Sequence, residues 1–577
     1  MNHVKKILFF FFLSLSLSVF SQDNTLISTI QTENLIPNKK LVLEKCRAYS
    51  DVFFVNINPD NAFNHDSLLV KVGDESISVK KEIIYSRGDN SFLFVGKGDN
   101  CQVLMSVLSD DIQGIIELGH NVYSIETTDD SGYALISTDY SVLNEVCSNF
   151  MDDSPNHFND SELYDIVDFR YDTFCKIRVL VFYTSSAKSS VSNIQNTVFT
   201  AIALTNQSFA NSQIAAQVEL VFAGETDYSE SGNIFTDLDR FRIDNDGYMD
   251  AVHALRDIYS ADVCVLLLND PNTCGLASTI NAVPYNAFCA VSTYGTCATS
   301  NYSFAHEIGH LLGCRHDTKA DPTTTPYQYG HGYVQSKKKW RTIMSYASSC
   351  SNCPRLLYWS NPDELYQGEH MGTHIFHNNS LVWNNRHNIV STFRQPRDTV
   401  FLSDYNHEIL SGHIVAERYI TNFGEITIQS NSNIDIVSGY EITFNDGFII
   451  EEGASFTASI GDVFGCNYMN LHETRKSDEE NNLSDIFEYD NHFEYSIFPN
   501  PATRKINILF SMEEEKKATI YMMDVLGHIT EVISGEKITN SGKCIHSIDV
   551  TNYKPGIYFI SICLDEQRFT EKIIINR

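Results

Sequence analysis

The stretch HEIGHLLGCRHD, from His306 to Asp317, places three histidines and a glutamate within twelve positions. His306 and His310 are four residues apart, so on a helix they lie one turn above each other with their imidazoles on one face. Ile308, Leu311 and Leu312 supply the apolar positions of that helix, and Asn301 or Ser303 suits its cap. A third ligand from the same helix would clash with the first two, so the chain has to turn. Gly313 stands where a helix end needs a left-handed residue, and His316, three positions on, can swing back towards the same ion.

Three neutral imidazoles leave a tetrahedral Zn²⁺ one open position, the arrangement of a catalytic rather than a structural site. An ion held there brings the pKa of water towards about 7 and polarises a carbonyl. Glu307, beside the first ligand, can accept the water's proton and deliver it to a leaving amine. The expected chemistry is peptide-bond hydrolysis. Five positions are set in HExxHxxGxxH, which makes it far more specific than a bare HExxH.

Upstream of this motif the texture is that of an α/β layer. KIRVLVFYT (176–184), VELVFAG (218–224) and ADVCVLLLN (261–269) read as strands, separated by helical periodicity over 190–214 and 246–260. Strand and helix in alternation imply a mostly parallel twisted sheet. NAFCAVSTYG (286–295) is one more extended segment, expected to form the sheet's edge and to pair with an extended substrate.

At 577 residues the chain is too long for one core. The expected organisation is multidomain: a signal peptide at 1–21, a β-rich segment at 22–172, the α/β catalytic domain at 173–396, a small β-module at 397–467, a polar linker at 468–494 and a C-terminal β-sandwich at 495–577. The signal reading rests on Lys5 and Lys6 ahead of a short apolar run from Ile7 to Phe20. No later stretch is long and apolar enough for a transmembrane anchor once the signal is removed. With 73 acidic against 41 basic residues, the net charge of -32 excludes nucleic acid as a partner. In an exported chain the eight cysteines between 170 and 360, including the CxxC pair Cys350 and Cys353, read as disulfides whose pairing spacing does not give.

TIMSY (342–346) places Met344 twenty-eight residues past His316. HExxHxxGxxH followed by such a methionine resembles the metzincin pattern. The resemblance implies that Met344 lies as an apolar floor under the metal and ligates nothing. Asp317, after the third histidine, is similar to the reprolysin-like branch. Tyr346 is similar to the tyrosine of the astacin and serralysin branches, which approaches the metal and hydrogen-bonds the oxyanion; the other reading is a tyrosine packed under the site. The wider block, with CGLAS, YGHGY and YWSNPD, resembles the bacterial reprolysin-like and peptidyl-Asp metallopeptidase group. That implies an endopeptidase with a protein or peptide substrate and a preference for acidic residues, against which the chain's own charge weighs. His331 in YGHGY is either a substrate-facing residue or an ordinary loop residue. The resemblance admits Ca²⁺ as well, but no loop carries a ligand pattern for it.

The segment at 22–172 resembles the propeptides of this group, so the product is expected as a zymogen, with Cys46, Cys101 and Cys147 the candidates for a latency thiolate on the open metal position. FPNPATRKINI, DVLGHIT, NYKPGIYFISI and the terminal KIIINR resemble the sorting domain of type IX secretion. That implies the secretion machinery as a partner and a secreted or outer-surface location. The rival class is a cell-surface adhesion protein on an inactive protease fold, which gives Glu307 no task.

Overall fold

The computed structural model describes residues 24–30, 49–86, 91–128, 132–140, 173–402 apart from 338, and, with short interruptions, 411–468 and 494–576. The signal peptide read at 1–21, Cys46, Cys147 and all but the ends of the linker read at 468–494 lie outside the described residues. The chain divides into two compact units, Met1–Thr474 and Arg475–Arg577.

Nine strands between Thr25 and Thr138 close into a barrel. Consecutive strands pair antiparallel from the third to the ninth, and the first pairs with both the second and the third. Two neighbouring strands, Cys101–Leu108 and Asp111–Leu118, show a two-residue alternation buried on both faces. Val103, Met105, Val107, Ile112 and Ile116 point into the barrel's own core. Leu104 and Ile115 point the other way and join the core of the α/β region, with Gln102, Ser106, Asp111, Gln113 and Glu117 buried beside them.

In that region Thr173–Tyr183, Ala216–Glu225, Val263–Leu268 and Phe288–Ser292 run parallel. Side chains of successive residues enter two separate cores. Val179, Val181, Val263 and Val265 meet the long helix Ile194–Asn211 and the histidine helix Ser303–Leu312 on one face. Leu180, Phe182, Cys264 and Leu266 meet Leu238, Phe241 and Val252 on the other. Helices on both faces explain why these strands read as unbroken apolar runs.

The sheet's edge is not the segment expected from sequence. Phe288–Ser292 is interior, between Val263–Leu268 and the three-residue strand Gly275–Ala277, which pairs with it antiparallel and forms the edge. Three residues are too few for any period to show.

At the far side the sheet does not end. Ser411–Thr421, Asn433–Ser438 and Ser455–Ile460 stack in parallel beyond Ala216–Glu225, joined to it by the antiparallel pair Phe222 and Gly412. Ile414, Ala416, Ile420, Ile434 and Ile436 share one core with Leu180, Phe182 and Val221. The block that reads in sequence as a module at 397–467 therefore continues the sheet and its core. In the second unit a three-stranded and a four-stranded sheet enclose Ile506, Ile508, Ile520, Met522, Ile560 and Ile573. Among the described residues no helix is long and apolar enough to cross a membrane.

Candidate metal centre and active site

The histidine helix is buried along its whole length, Ser303 to Leu312. Its start differs from expectation. Neither Asn301 nor Ser303 caps it; Asn301 Nδ2 donates to Ser303 Oγ at 3.1 Å instead, and the cap position is Tyr302, left-handed at φ 58° and without a side-chain cap bond. Its end is as expected, with Gly313 left-handed at φ 110°. A Cβ on Gly313 would also sit 2.8 Å from the Tyr327 ring.

The turn at Gly313 brings His316 back to the helix. His316 Nε2 lies 3.2 Å from His306 Nε2 and 3.0 Å from His310 Nε2, and these three buried residues form a group whose ligand atoms all lie within 4.8 Å. The second nitrogens decide what the first can do. His306 Nδ1 lies 2.9 Å from the carbonyl of Ile343, and His310 Nδ1 lies 2.8 Å from that of Cys314. A carbonyl only accepts, so both Nδ1 atoms carry the proton and both Nε2 atoms present lone pairs to the centre. Burial, followed by the neighbouring His310, pushes His306 well below the usual histidine range. His316 is lowered likewise, and burial brings His310 down to about 4. Lone pairs this close repel unless a cation lies between them, and three neutral imidazoles suit a divalent one.

Glu307, also buried, faces the edge strand: a Cβ on Gly275 would come within 2.5 Å of Glu307 Oε1. Only glycine at 275 leaves room for the carboxylate beside the strand that an extended chain could join. Met344 is fully buried, and its sulfur and the Trp359 ring both crowd Gly309 on the histidine helix. The Tyr346 ring lies against that of His316, tilted by 34° with centroids 4.2 Å apart.

Four supporting residues were not legible from spacing. Asp317 Oδ2 accepts the backbone N–H of Tyr346 at 3.0 Å, tying the third histidine to the methionine turn. His331 is fully buried, with Nδ1 2.7 Å from the His316 carbonyl, so it braces the backbone of the third histidine. Arg341 and Arg355 are fully buried and both donate to the Ser345 carbonyl, and Arg355 also donates to that of Asn301 at 2.6 Å. Cys101 is excluded as a latency group: it packs in the barrel core, and burial pushes its thiol up to about 11, away from the thiolate a metal needs. Cys274 pairs with Cys297 and Cys350 with Cys353.

Residues 175–360 match metallo-peptidase family M12 of the reprolysin type, and residues 496–576 match a secretion system C-terminal sorting domain. The chain is 48% identical over 219 residues to the peptidyl-Asp metalloendopeptidase of Xanthomonas campestris pv. campestris, covering 38% of this chain and 52% of that one. The corresponding protein of Stenotrophomonas maltophilia is 48% identical over 222 residues, with the same coverage. The chain thus spans about half the length of these relatives. Against the peptidyl-Asp metalloendopeptidase of Pseudomonas fragi it is 40% identical over 162 residues, 28% of this chain and 84% of that one. The sorting domain marks a protein sent by type IX secretion to the cell exterior or its outer surface. A buried three-histidine centre beside a carboxylate and an antiparallel edge strand agrees with these matches: the chain belongs to metallopeptidase family M12.

Proposed function

We propose that this chain is a secreted zinc endopeptidase made as a zymogen. His306, His310 and His316 hold Zn²⁺, Glu307 takes a proton from the attacking water and returns it to the leaving amine, and Met344 supports the centre from below. Zinc, when bound, polarises the scissile carbonyl and acidifies water. The observation that carries the reading is the convergence of three imidazole nitrogens with Glu307 facing the edge strand across Gly275. An extended substrate pairs with Gly275–Ala277, which puts its backbone in front of Glu307. Tyr346, whose ring lies against that of His316, would meet the oxyanion in this reading. The barrel fills the role of a propeptide.

For the substrate we infer an acidic side chain next to the scissile bond, as the relatives' names say of those proteins. The net charge of -32 argues against such substrates unless the site is locally positive. Arg355 supports that condition: it is buried, it bridges the start of the histidine helix to the methionine turn, and its charge contributes to lowering both His306 and His316.

The test is matured protein assayed on casein and on paired peptides that differ by Asp against Asn, with metal content measured in parallel. Stoichiometric zinc and casein cleavage lost in Glu307→Gln support the enzyme. Zinc-loaded protein inert towards a broad peptide library favours the adhesion reading. Equal rates on Asp and Asn peptides remove the acidic preference alone.

A further inference from the structure

One barrel carboxylate touches the active-site region at two points. Glu117, on the strand Asp111–Leu118, is 4% exposed and faces away from the barrel core. Its Oε1 accepts the phenolic O–H of Tyr302 at 3.2 Å and the backbone N–H of Leu357 at 2.7 Å. Tyr302 is the left-handed residue from which the histidine helix starts. Leu357 stands two residues before Trp359, whose ring lies against Gly309 of that helix. A single oxygen atom therefore bridges the helix start and the wall behind it. A cavity of about 230 Å³ adjoins the carboxyl, lined by Lys97, Gln102, Glu117, Tyr358 and Tyr366 among others, which is room for water on one side of it.

We propose that Glu117 is the latch that docks the barrel on the catalytic domain, closed while its carboxyl is protonated and loosened when the cavity's water hydrates the ionised form. A neutral carboxyl accepts both hydrogen bonds through its carbonyl oxygen, whereas a buried carboxylate has exchanged full hydration for two neutral donors. Burial is the larger influence and pushes Glu117 up to about 7, against the opposing pull of Leu357 N–H, Tyr302 O–H and the charge of Lys97. From the barrel, Lys97 and the Cys101 thiol face it; the thiol is itself pushed up by burial and then by Glu117. From the catalytic domain, Tyr302, Tyr358 and Tyr366 face it, each raised first by burial and next by Glu117. Farther out, Glu82 and Glu364 act on Tyr358, Arg355 acts on Tyr302, and the His120 ring lies 6.0 Å from that of Tyr366.

The docked carboxyl lies above its free value of 4.5, so docking gains from protonation. That gain is complete below the free value, declines as pH rises from about 4.5 to about 7, and is gone above it. The span corresponds to docking weakened about 300-fold. The proposal stands apart from catalysis and from metal, so it survives or fails independently of the zinc endopeptidase reading.

Hydrogen exchange on the full chain, corrected for the intrinsic pH dependence of exchange, tests it at the Leu357 amide that Glu117 holds. We expect protection there to fall about 150-fold between pH 4.5 and pH 8, while peptides of the C-terminal unit keep theirs. Glu117→Gln, which can accept the same two bonds and has no proton to lose, should flatten the profile. Flat protection in the unaltered chain, or a Glu117→Gln profile that follows it, overturns the latch. Should Glu117→Gln fail to fold, Tyr302→Phe decides: losing one donor to the carboxylate should move the transition to higher pH, and an unmoved midpoint overturns the proposal.

Discussion

The two ends of the histidine helix are held in opposite ways. The C-terminal end is local: Gly313 turns the chain, the Cys314 carbonyl orients His310, and His316 returns within four residues of the helix. The N-terminal end has no local cap; Tyr302 is strained into the left-handed region and held by Glu117, 185 residues away. The end from which the third histidine returns is built largely from sequence neighbours. The end that starts the helix, one turn ahead of His306, is left to a partner that can be taken away.

Four substitutions sharpen or break this contrast. Glu307→Gln, between the two ends, should lower kcat by about 10²–10⁴-fold, the range for a lost general acid–base, with metal content by elemental analysis unchanged; lost metal would mean that the carboxylate helps to build the centre. Ile115→Ala removes a barrel side chain from the catalytic core and should weaken docking by about 2–5 kcal/mol. Its effect should appear in urea unfolding of the full chain. Gly313→Ala meets both a positive φ and the Tyr327 ring, so a cost of about 1–3 kcal/mol is expected, together with weaker metal binding in competition with a chelator. Tyr302→Phe should cost only about 1 kcal/mol and leave metal affinity alone. Equal metal loss in Gly313→Ala and Tyr302→Phe would abolish the distinction between the two ends.

What could be read beforehand follows the range of the interaction. The turn at Gly313 and the spacing of His306, His310 and His316 are consequences of helical geometry over eleven residues, and the structure brings those residues together. The apolar runs at 179–183 and 263–268 announced strands buried on both faces because each residue in them is apolar whichever way it points. The three-residue edge strand had no period to show. Asn301 and Ser303 carry capping side chains, yet they bond to each other, and a distant carboxylate holds the helix start. His331 read as a loop residue because nothing in YGHGY reveals the carbonyl fifteen residues earlier that it holds.

The barrel and the block at 397–467 show the same limit from two sides. Both read as short strands between polar turns, yet one keeps a core of its own and docks through Leu104, Ile115 and a row of polar side chains, while the other merges its isoleucines with Leu180 and Phe182. Alternation in a strand says which residues are buried together; it does not say what covers them.

Sequence alone determined the chemistry of the centre, since imidazoles one helical turn apart, a glycine turn and an adjacent carboxylate are set by bond geometry within a dozen residues. Tertiary structure alone decided which strand forms the sheet's edge beside Glu307, which arginines brace the methionine turn and which carboxylate grips the helix start. Those contacts join residues tens to hundreds of positions apart, and only the packed chain brings them within hydrogen-bonding distance.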